Sequence, residues 1–482
     1  MIAMLRDAGP PSRLSTGIDQ LDAVLGGGIP RYSAVFVSGL PGTGKTILSQ
    51  QAAFANAQAG RTCLYLNTIS EPSLKMLRFL QDFTFFHPDL FDTKVLYSDL
   101  SRALRTDGPA GVLAQLDNLV RAHRPELVVM DGFKALRDFI RDPVAFRAFT
   151  VDVVVQLTAW EVTALLVGEY TPEDVREGAE FAIADGIIYL SGREEAEKQK
   201  RFLRVLKMRG TAFLDGNHFF EIGAAGITLY PRLAPVMVGE PARPAGRAGS
   251  TIAGLREMLG GGLVTSTATL ISGALGAGKS LVALSFLVDG ARTGEPGLLV
   301  SLDESSSQLT RNAQVFGWNL EDLRHDKLLD IVHVSPAALH IERHAVELVA
   351  RAQQVGARRI VLDSITAIAA AVPEVATYRY YLWAIMDYCK QWGITVIMTA
   401  EADGPVQALT NSTRGMTFVA DTIIVLRYVE MEGDLKRAVG VLKMRGSGHD
   451  TSLHELLIDP PHLAVGPRLA EVSLPGAALR SL

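Results

Sequence analysis

The sequence is poor in cysteine, with only Cys63 and Cys389 among its 482 residues. Two cysteines cannot build a disulfide framework or a Cys-rich metal site, so we expect a chain that folds in a reducing environment. A strong charge bias is also absent, because 47 Lys and Arg residues against 52 Asp and Glu residues give a formal net charge of −5. That balance argues against a protein that coats nucleic acid, although it is compatible with a local basic patch.

Long hydrophobic runs are missing as well. The most apolar stretch, residues 151–168, is interrupted by Asp152, Gln156 and Glu161, whereas a membrane-spanning helix needs about 20 predominantly apolar residues. The first 13 residues mix charge, Gly and Pro and hold no apolar core of signal-peptide length. We therefore expect a cytoplasmic protein that does not associate with a membrane.

Glycine, in contrast, is abundant, and the 44 glycines mark an internal repeat. Five short motifs recur later in the chain, in the same order and at offsets of 232 to 236 residues. They are LGGG at 25–28 and 259–262, GLPGTGKT at 39–46 and GALGAGKS at 273–280, Asp131 and Asp363 after apolar runs, ADG at 184–186 and ADT at 420–422, and KMRG at 207–210 and 443–446. Chance does not keep five motifs in register, so the sequence predicts a tandem duplication.

The repeat settles the number of domains, for which the chain length alone allows about two to four. We predict an N-terminal domain at residues 1–233 and a C-terminal domain at residues 251–467. Residues 234–250 are rich in Pro, Gly and Ala and are expected to form a linker. Residues 468–482 are expected to form a short tail.

Within each half, short apolar runs alternate with helical patterns. This is typical of an α/β fold with a mostly parallel, twisted sheet flanked by helices. The predicted parallel strands are 34–38, 63–67, 127–131 and 164–168 in the first half and 269–272, 297–301, 359–363 and 394–399 in the second. Two closer strands follow in each half, at 186–190 and 202–207 and at 422–427 and 437–443. The charged links between them, 193–200 and 430–436, predict hairpin turns.

Both GxxxxGK[ST] motifs follow a predicted strand and precede a predicted helix, which is the context of a phosphate-binding P-loop. In such a loop the glycines let successive N–H groups face the phosphates, the lysine reaches the β- and γ-phosphates, and the Ser or Thr hydroxyl holds Mg²⁺. A dinucleotide fingerprint has a different spacing, and ordinary glycine-rich turns would not recur in register. The predicted ATP-binding residues are Gly39, Gly42, Thr43, Gly44, Lys45, Thr46, Gly273, Gly276, Ala277, Gly278, Lys279 and Ser280, with Thr46 and Ser280 as metal ligands.

An acidic residue at the end of a neighbouring strand would organise the Mg²⁺ and its water. Asp131 and Asp363 occupy that point in both halves and are predicted to contribute to the nucleotide site. The alternative for each is a helix N-cap, a role for which Ser364 beside Asp363 is also suited.

ATP hydrolysis also needs a group that orients the attacking water. Directly after the second strand the C-terminal half has Asp303 and Glu304, and Glu304 is the best candidate for the base. The N-terminal half has Glu71 in this region, which equally fits an acid at a helix start before Pro72. The two sites are therefore predicted to be unequal.

Basic residues end a late strand in each half: Lys207 and Arg209 in the first, and Lys443 and Arg445 in the second. At that place they do not easily reach their own P-loop. We expect them to act as cationic fingers on the γ-phosphate of a neighbouring subunit. The alternative is a solvated strand end.

Two glutamates at informative positions and the histidines remain. Glu169 and Glu401, which follow the fourth core strands, are candidates for sensing nucleotide through water, with a structural role as the alternative. The histidines, His344 among them, show no metal-ligand spacing and are interpreted as surface or core residues.

With these motifs in place, the chain resembles the KaiC family, the double-domain members of the RecA-type P-loop ATPases. Besides the LGGG motifs and both P-loops, the resemblance rests on STGI at 15–18, LDSITAI at 362–368, ADTIIVLRYVE at 420–430 and KMRGS at 443–447. It extends in order over residues 13–465. The resemblance implies two tandem RecA-like P-loop NTPase domains.

It also implies a homo-oligomer, a two-tiered hexameric ring with ATP between adjacent subunits. The N-terminal ring would hydrolyse ATP, and the C-terminal ring would act as a Ser/Thr autokinase and phosphatase. In the family the two phosphorylated residues are adjacent, and the matching pair here is Thr417 and Phe418. Thr417 is thus the candidate phosphosite, with Ser412 and Thr413 as alternatives. An ordered two-site phosphorylation cycle is not expected, because Phe418 at the second position has no hydroxyl.

Three functions compete for this chain. The leading hypothesis is a Mg²⁺-dependent ATPase with autokinase activity in the second domain. The alternative is a nucleotide-gated ring that binds a signalling protein with little turnover, because the candidate base of the first domain is weak. A DNA-acting motor is disfavoured, since neither the charge balance nor the basic strand ends supply a clear nucleic-acid surface.

Overall fold

A computed structural model describes residues 12–68, 73–195, 198–232, 246–372, 374–402, 419–431 and 433–469. The chain divides into two compact units, Met1–Arg232 and Leu233–Leu482. Most of the predicted linker and all but two residues of the predicted tail lie outside the described residues. At the end of the linker, Arg247–Ala248 pairs with a strand of the second unit.

The first unit alternates strands and helices through most of its length. In chain order its elements are β1 (Arg13–Leu14), α1 (Asp19–Val24), β2 (Ile29–Pro30), β3 (Ala34–Gly39), α2 (Lys45–Gln58), β4 (Cys63–Asn67), α3 (Ser73–Leu80), β5 (Val95–Asp99), α4 (Ser101–His123), β6 (Leu127–Asp131), α5 (Pro143–Ala159), β7 (Thr163–Glu169), α6 (Pro172–Glu177), α7 (Glu180–Ile183), β8 (Gly186–Glu195), β9 (Lys198–Met208), β10 (His218–Gly223) and β11 (Gly226–Tyr230). Short 3₁₀ segments lie at Pro88–Leu90 and Phe133–Asp138.

The second unit repeats this plan. Its elements are β12 (Arg247–Ala248), α8 (Leu255–Met258), β13 (Leu263–Val264), β14 (Ala268–Gly273), α9 (Lys279–Arg292), β15 (Gly297–Ser301), α10 (Ser306–Gln314), α11 (Leu320–His325), β16 (Leu329–His333), α12 (Ile341–Val355), β17 (Arg359–Asp363), α13 (Ile365–Ala371), α14 (Val375–Gln391), β18 (Thr395–Glu401), β19 (Thr422–Met431), β20 (Asp434–Met444), β21 (His454–Asp459) and β22 (His462–Arg468). A 3₁₀ segment lies at Pro336–Ala338.

Each unit is built on one nine-stranded sheet, and the two sheets have the same topology. The strand order is β11-β10-β9-β8-β3-β7-β6-β4-β5 in the first and, read from the opposite edge, β16-β15-β17-β18-β14-β19-β20-β21-β22 in the second. Six strands of each sheet pair in parallel, and the last three pair antiparallel. The predicted fold class, two tandem mostly parallel α/β domains of the RecA-like type, is confirmed.

The central strands are buried on both faces, as their continuous apolar runs predict. In β3 all six residues are buried. Val35 and Val37 pack in the core layer that contains α2, whereas Phe36 packs in the layer that contains α4 and α5. The second sheet repeats the alternation, with Ile271 in one layer and Leu270 in the other. Helices therefore cover both faces of each sheet.

Several elements differ from the sequence-based expectation. The edge strands β5 and β16 and the terminal hairpins β10–β11 and β21–β22 were not predicted, because their sequences mix polar with apolar residues and lack a continuous apolar run. The predicted hairpin turns 193–200 and 430–436 are wrong in extent. The strands continue to the pairs Glu195 with Lys198 and Met431 with Asp434. Exposed hairpin strands tolerate charged side chains, so the charge was no sign of a turn.

Over the described ranges, none of the helices combines the length and the apolar character that crossing a bilayer requires.

The LGGG motif turns the chain sharply beside β1. Gly28 has a φ of +113°, and a Cβ added there would lie 2.5 Å from the carbonyl oxygen of Leu14. Leu14 pairs with Ile29 in the small sheet formed by β1 and β2. A side chain at residue 28 would therefore push these two strands apart.

We expect Gly28→Ala to lower the thermal unfolding midpoint of the first domain clearly more than Gly60→Ala. Gly60 also has a positive φ, +84°, but a Cβ there meets nothing within 4 Å. Both variants carry the left-handed strain of about 1–2 kcal/mol, and only Gly28→Ala adds the steric conflict. Calorimetry of the full chain measures this difference, and equal midpoints for the two variants would contradict it.

Candidate phosphate-binding sites

Two loops of the same shape join the central strand of each sheet to the following helix. Gly42 and Gly44 have φ values of +73° and +99°, and Gly276 and Gly278 have +74° and +99°. Helices α2 and α9 begin directly after these loops, each at the lysine of the motif. Left-handed glycines at a helix start turn successive N–H groups toward one point, which creates an anion-binding concavity.

The lysine of each loop folds back over it. Lys45 Nζ donates to the Leu40 carbonyl at 2.8 Å, and Lys279 Nζ donates to the carbonyls of Gly273 at 3.0 Å and Ala274 at 2.9 Å. Both lysines are buried. Burial lowers the pKa of Lys45, while the carboxylates of Glu169 and Asp131 act in the opposite direction. The loop thus holds a cation where an anion would bind.

Asp131, the last residue of β6, meets the first P-loop. Its carboxylate accepts a hydrogen bond from Tyr65 Oη at 2.7 Å. Burial raises the pKa of Asp131, and the hydrogen bond from Tyr65, the nearby hydroxyl of Thr46 and the charge of Lys45 oppose that rise. Tyr65 Oη also lies 3.0 Å from Ser49 Oγ. A chain of hydroxyls from α2 and β4 therefore orients this carboxylate.

Asp363 occupies the same place in the second unit, at the end of β17. Its carboxylate accepts a hydrogen bond from Thr399 Oγ1. Burial raises the pKa of Asp363, the hydrogen bond from Thr399 and the nearby hydroxyl of Ser280 lower it, and Asp303 adds to the rise. In both units the P-loop hydroxyl therefore lies beside the strand-end aspartate and lowers the pKa of its carboxyl group.

The N-cap interpretation of these aspartates does not match the structure. Ser364 is the N-cap of α13, where its side chain accepts from the N–H of Ala367. Gly132, not Asp131, precedes the 3₁₀ segment after β6, and no side chain caps that segment. The carboxylates of Asp131 and Asp363 are therefore available to the P-loop hydroxyls.

Glu304 lies next to the second site. Burial raises its pKa, and the nearby Asp363 and Asp303 raise it further. Its carboxylate accepts a hydrogen bond from Asn312 Nδ2 at 2.8 Å. Its backbone is held at both ends by Ser301 Oγ, which donates to the Glu304 carbonyl and accepts from its N–H. The structure thus brings Asp303, Glu304 and Asp363 into one acidic neighbourhood.

The basic residues proposed as fingers lie away from the P-loop of their own unit. Lys207 pairs with Ile187 at the start of β8, next to the start of β3, whereas the P-loop follows the end of β3. Lys207 Nζ donates to the Ala182 carbonyl, and Arg209 forms an ion pair with Asp185 at 3.4 Å.

The second unit has the same arrangement. Lys443 Nζ donates to the Ala420 carbonyl at 2.7 Å, and Arg445 lies 3.7 Å from a carboxylate oxygen of Asp421. Burial lowers the pKa of Lys443, and the neighbouring Arg445 adds to that effect. The four basic residues therefore lie away from the P-loop of their own unit, and their role as fingers stays a prediction.

The glutamates after the fourth core strands border the loops. Glu169 pairs with Gly39 and Glu401 with Gly273 in the parallel ladders. The Glu401 N–H donates to Thr366 Oγ1 at 2.9 Å. The role of Glu169 and Glu401 in sensing nucleotide stays a prediction.

Two predicted residues, Glu71 and Thr417, lie outside the described residues, as do Ser412 and Thr413. Over the described ranges, no group of three or more His, Cys, Asp and Glu side chains is arranged to hold a metal ion. A cation here would instead contact one hydroxyl and one carboxylate of the protein, and phosphate and water oxygens would complete its shell.

Sequence reasoning missed three residues that support these sites, Tyr65, Thr399 and Asn312. Tyr65 and Thr399 lie in the predicted apolar strands 63–67 and 394–399, and the strand pattern alone assigns no role to them. A hydroxyl in a buried strand is a usable signal, because it must find a hydrogen-bond partner. The identity of that partner depends on which strands are neighbours.

Comparison with known proteins agrees with this geometry. The family model for the KaiC ATPase matches residues 14–234 and 248–470, once in each half. The circadian clock oscillator protein KaiC 1 of Synechocystis sp. is 29% identical over 457 residues, which cover 92% of this chain and 87% of that protein. The KaiC protein of Picosynechococcus sp. is 29% identical over 466 residues, 94% of this chain and 89% of that protein.

The KaiC protein of Prochlorococcus marinus, strain MIT 9313, is 28% identical over 459 residues, 92% of this chain and 91% of its own length. These matches span both repeats, and the family match includes both P-loops. The chain is therefore a member of the KaiC family of ATPases, with one KaiC domain in each half.

Proposed function

We propose that this protein binds ATP with Mg²⁺ at both P-loops and hydrolyses it. The observation that carries the proposal is the placement, in both units, of a P-loop hydroxyl beside a strand-end aspartate, where the hydroxyl lowers the pKa of the carboxyl group. This pair is the protein part of a Mg²⁺ site in P-loop enzymes. Thr46 with Asp131 and Ser280 with Asp363 would hold the cation, which supplies charge neutralisation of the phosphates.

The second site has the more complete catalytic set. Glu304 is the base that would take the proton of the attacking water. A raised pKa makes its carboxylate a stronger proton acceptor, and the cause is burial together with Asp363 and Asp303. The hydrogen bond from Asn312 and the clamp by Ser301 keep the residue in one position. Such positioning is what the water-orienting residue of a hydrolase requires.

The proposal extends to assembly and to modification. Because Lys207, Arg209, Lys443 and Arg445 lie near the opposite end of the sheet from their own P-loop, they would serve a site on an adjacent copy in a ring. We propose a homohexamer, as the family resemblance implies.

Autophosphorylation at Thr417 stays a prediction from the sequence. Mass spectrometry of peptide 411–418 after incubation with ATP tests it, and an unmodified peptide would contradict it.

A nucleotide-gated scaffold remains the second candidate function. Its support comes from the sequence, where Glu71, the candidate base of the first domain, also fits an acid at a helix start before Pro72. ATP-dependent assembly without measurable turnover would favour the scaffold over the ATPase.

Removal of the P-loop lysines separates the two sites. We expect Lys45→Ala and Lys279→Ala each to abolish turnover at their own site, a loss of about 100-fold or more, because the cation that neutralises the phosphates is gone. The double variant should be inactive. Lys94→Ala is the matched control, since the Lys94 ammonium donates to the exposed Gly60 carbonyl far from either loop in sequence. Phosphate release measures turnover, and a wild type without turnover would contradict the ATPase.

The hydroxyl of Tyr65 should tune the first site alone. In the Lys279→Ala background, Tyr65→Phe removes one donor to Asp131 and keeps the ring, so the pKa of Asp131 rises. A higher pKa means more protonated carboxylate at a given pH. The acid limb of the activity profile should therefore move to higher pH, and the Mg²⁺ concentration for half-maximal activity should rise several-fold.

Thr399→Val in the Lys45→Ala background is the matched variant, because Thr399 donates to Asp363. It should shift the pH profile of the second site in the same direction. A purely structural role for Tyr65 would lower stability without moving the acid limb, and that result would exclude the tuning role.

Subunit complementation tests whether Arg445 acts on the ATP site of a neighbouring copy. We expect Arg445→Ala and Lys279→Ala, both in the Lys45→Ala background, to be inactive alone and to regain activity when their subunits are mixed. A mixed ring contains interfaces with an intact P-loop on one copy and an intact Arg445 on the next. Phosphate release after subunit exchange is the measurement. Absence of recovery, with mixing verified by mass, would mean that Arg445 does not act across an interface.

A further inference from the structure

The second P-loop contacts the hairpin formed by β19 and β20. Tyr428 of β19 donates its hydroxyl hydrogen to the Gly276 carbonyl, with 2.8 Å between the two oxygens. Arg437 of β20 pairs with Tyr428 across the hairpin, and its Nε lies 3.4 Å from the same carbonyl oxygen. The guanidinium carbon of Arg437 lies 5.7 Å from the centre of the Tyr428 ring. Two side chains of one hairpin therefore meet at a single carbonyl of the phosphate loop.

The Gly276 carbonyl is placed where such a contact affects phosphate binding. The left-handed conformations of Gly276 and Gly278 turn the neighbouring N–H groups toward the anion position. The Gly276 carbonyl and the Ala277 N–H belong to one planar peptide unit, so a hydrogen bond that fixes the carbonyl also fixes the direction of the N–H. This N–H lies 3.3 Å from the Ala274 carbonyl, a long hydrogen bond that leaves it available to a phosphate oxygen.

The first repeat has the equivalent arginine but not the tyrosine. Strand β3 pairs with β8 in the same register as β14 pairs with β19, and this register makes Gly192 the equivalent of Tyr428. Gly192 pairs with Arg201, just as Tyr428 pairs with Arg437. Because glycine has no side chain that could donate, this hydroxyl contact is a feature of the second unit.

The shape of the loop does not depend on the tyrosine. Gly42 and Gly44 of the first P-loop have nearly the same φ values as Gly276 and Gly278. A Cβ added to Gly42 would meet nothing within 4 Å, whereas a Cβ added to Gly276 would lie 3.1 Å from Tyr428 Oη. The space beside the first loop is open, and the tyrosine fills it in the second. Tyr428 therefore restrains a conformation that the glycines already permit.

We propose that Tyr428 is a positioning residue of the second ATP site, a role that rests on the nucleotide binding proposed above. Its hydroxyl keeps the P-loop in the phosphate-binding conformation before the nucleotide arrives. Less conformational freedom is then lost on binding, which tightens the complex and slows the release of the nucleotide. Arg437 supports this role by lying against the tyrosine ring. Tyr428 acts on the loop and not on the reacting atoms.

Binding of the fluorescent nucleotide mant-ADP, with Mg²⁺, to the full-length protein tests the proposal. In the Lys45→Ala background, which leaves the second P-loop intact, Tyr428→Phe removes only the hydroxyl. We expect the dissociation constant at the second site to rise about three- to tenfold, the usual effect of one lost hydrogen bond. Most of the change should appear in the dissociation rate, which displacement by excess ADP measures. An unchanged dissociation constant would overturn the proposal.

Turnover and stability distinguish positioning from the other roles of a tyrosine. In the same background Tyr428→Phe should raise the KM for ATP, whereas kcat should not fall, because faster product release does not slow the cycle. The thermal unfolding midpoint should stay unchanged, since the exposed Gly276 accepts a hydrogen bond from water instead. A fall in kcat with an unchanged KM would indicate a catalytic role, and a lower midpoint would indicate a structural one. Either result would overturn the proposal.

Two controls confine the effect to the second site. Tyr428→Phe in the Lys279→Ala background should leave mant-ADP binding at the first site unchanged. Tyr230→Phe in the Lys45→Ala background should leave the second site unchanged, since the Tyr230 hydroxyl donates to Glu221 in the first unit. An equally large effect in either control would overturn the assignment. If Lys45→Ala alone binds no mant-ADP, both this proposal and the second ATP site are wrong, whereas binding that Tyr428→Phe does not alter contradicts this proposal alone.

Discussion

The placement of a P-loop hydroxyl beside a strand-end aspartate is the constraint on which the functional geometry depends. Thr46 stands at the start of α2, after β3, and Asp131 ends β6, two positions away in the sheet. The two meet only because β3, β7 and β6 run parallel, so that their carboxyl ends share one edge. An antiparallel neighbour would place the aspartate at the other edge of the sheet. The parallel core is therefore the condition for the site.

The duplication repeats this arrangement, but a different side chain donates a hydrogen bond to the aspartate in each unit. In the first unit the aspartate is held by Tyr65 from β4, and in the second it is held by Thr399 from β18, on the other side. At the equivalent positions the second unit has Leu299 instead of Tyr65, and the first has Val167 instead of Thr399. The support has thus changed from one neighbouring strand to the other, while the aspartate and the P-loop have stayed. The strand-end aspartates of the two sites can in this way differ in pKa, although their P-loops have the same sequence pattern.

Much of the site was predictable because its signals are local or repeated. The P-loops need only eight consecutive residues, and the strand-end aspartates follow an apolar run at the same point of each repeat. Tyr65 could not be connected with Asp131 in the same way, since 66 residues separate them in the chain. His344 is a sharper example. It was interpreted as a surface or core residue, and only the packing of α12 against β15, β16 and α14 shows a buried ring with one unpartnered nitrogen.

The sequence by itself determined the duplication, the α/β class, the phosphate loops and the aspartates that face them. These features rest on short-range chemistry: glycines that permit left-handed backbone, apolar runs that must be buried, and charged groups at fixed spacing. The tertiary structure alone decided which hydroxyl holds each aspartate, which end of the sheet carries the basic strand-end residues, and where α12 leaves a cavity. Those features depend on strand order and on packing between distant segments, and the spacing of residues along one chain does not encode either of them directly.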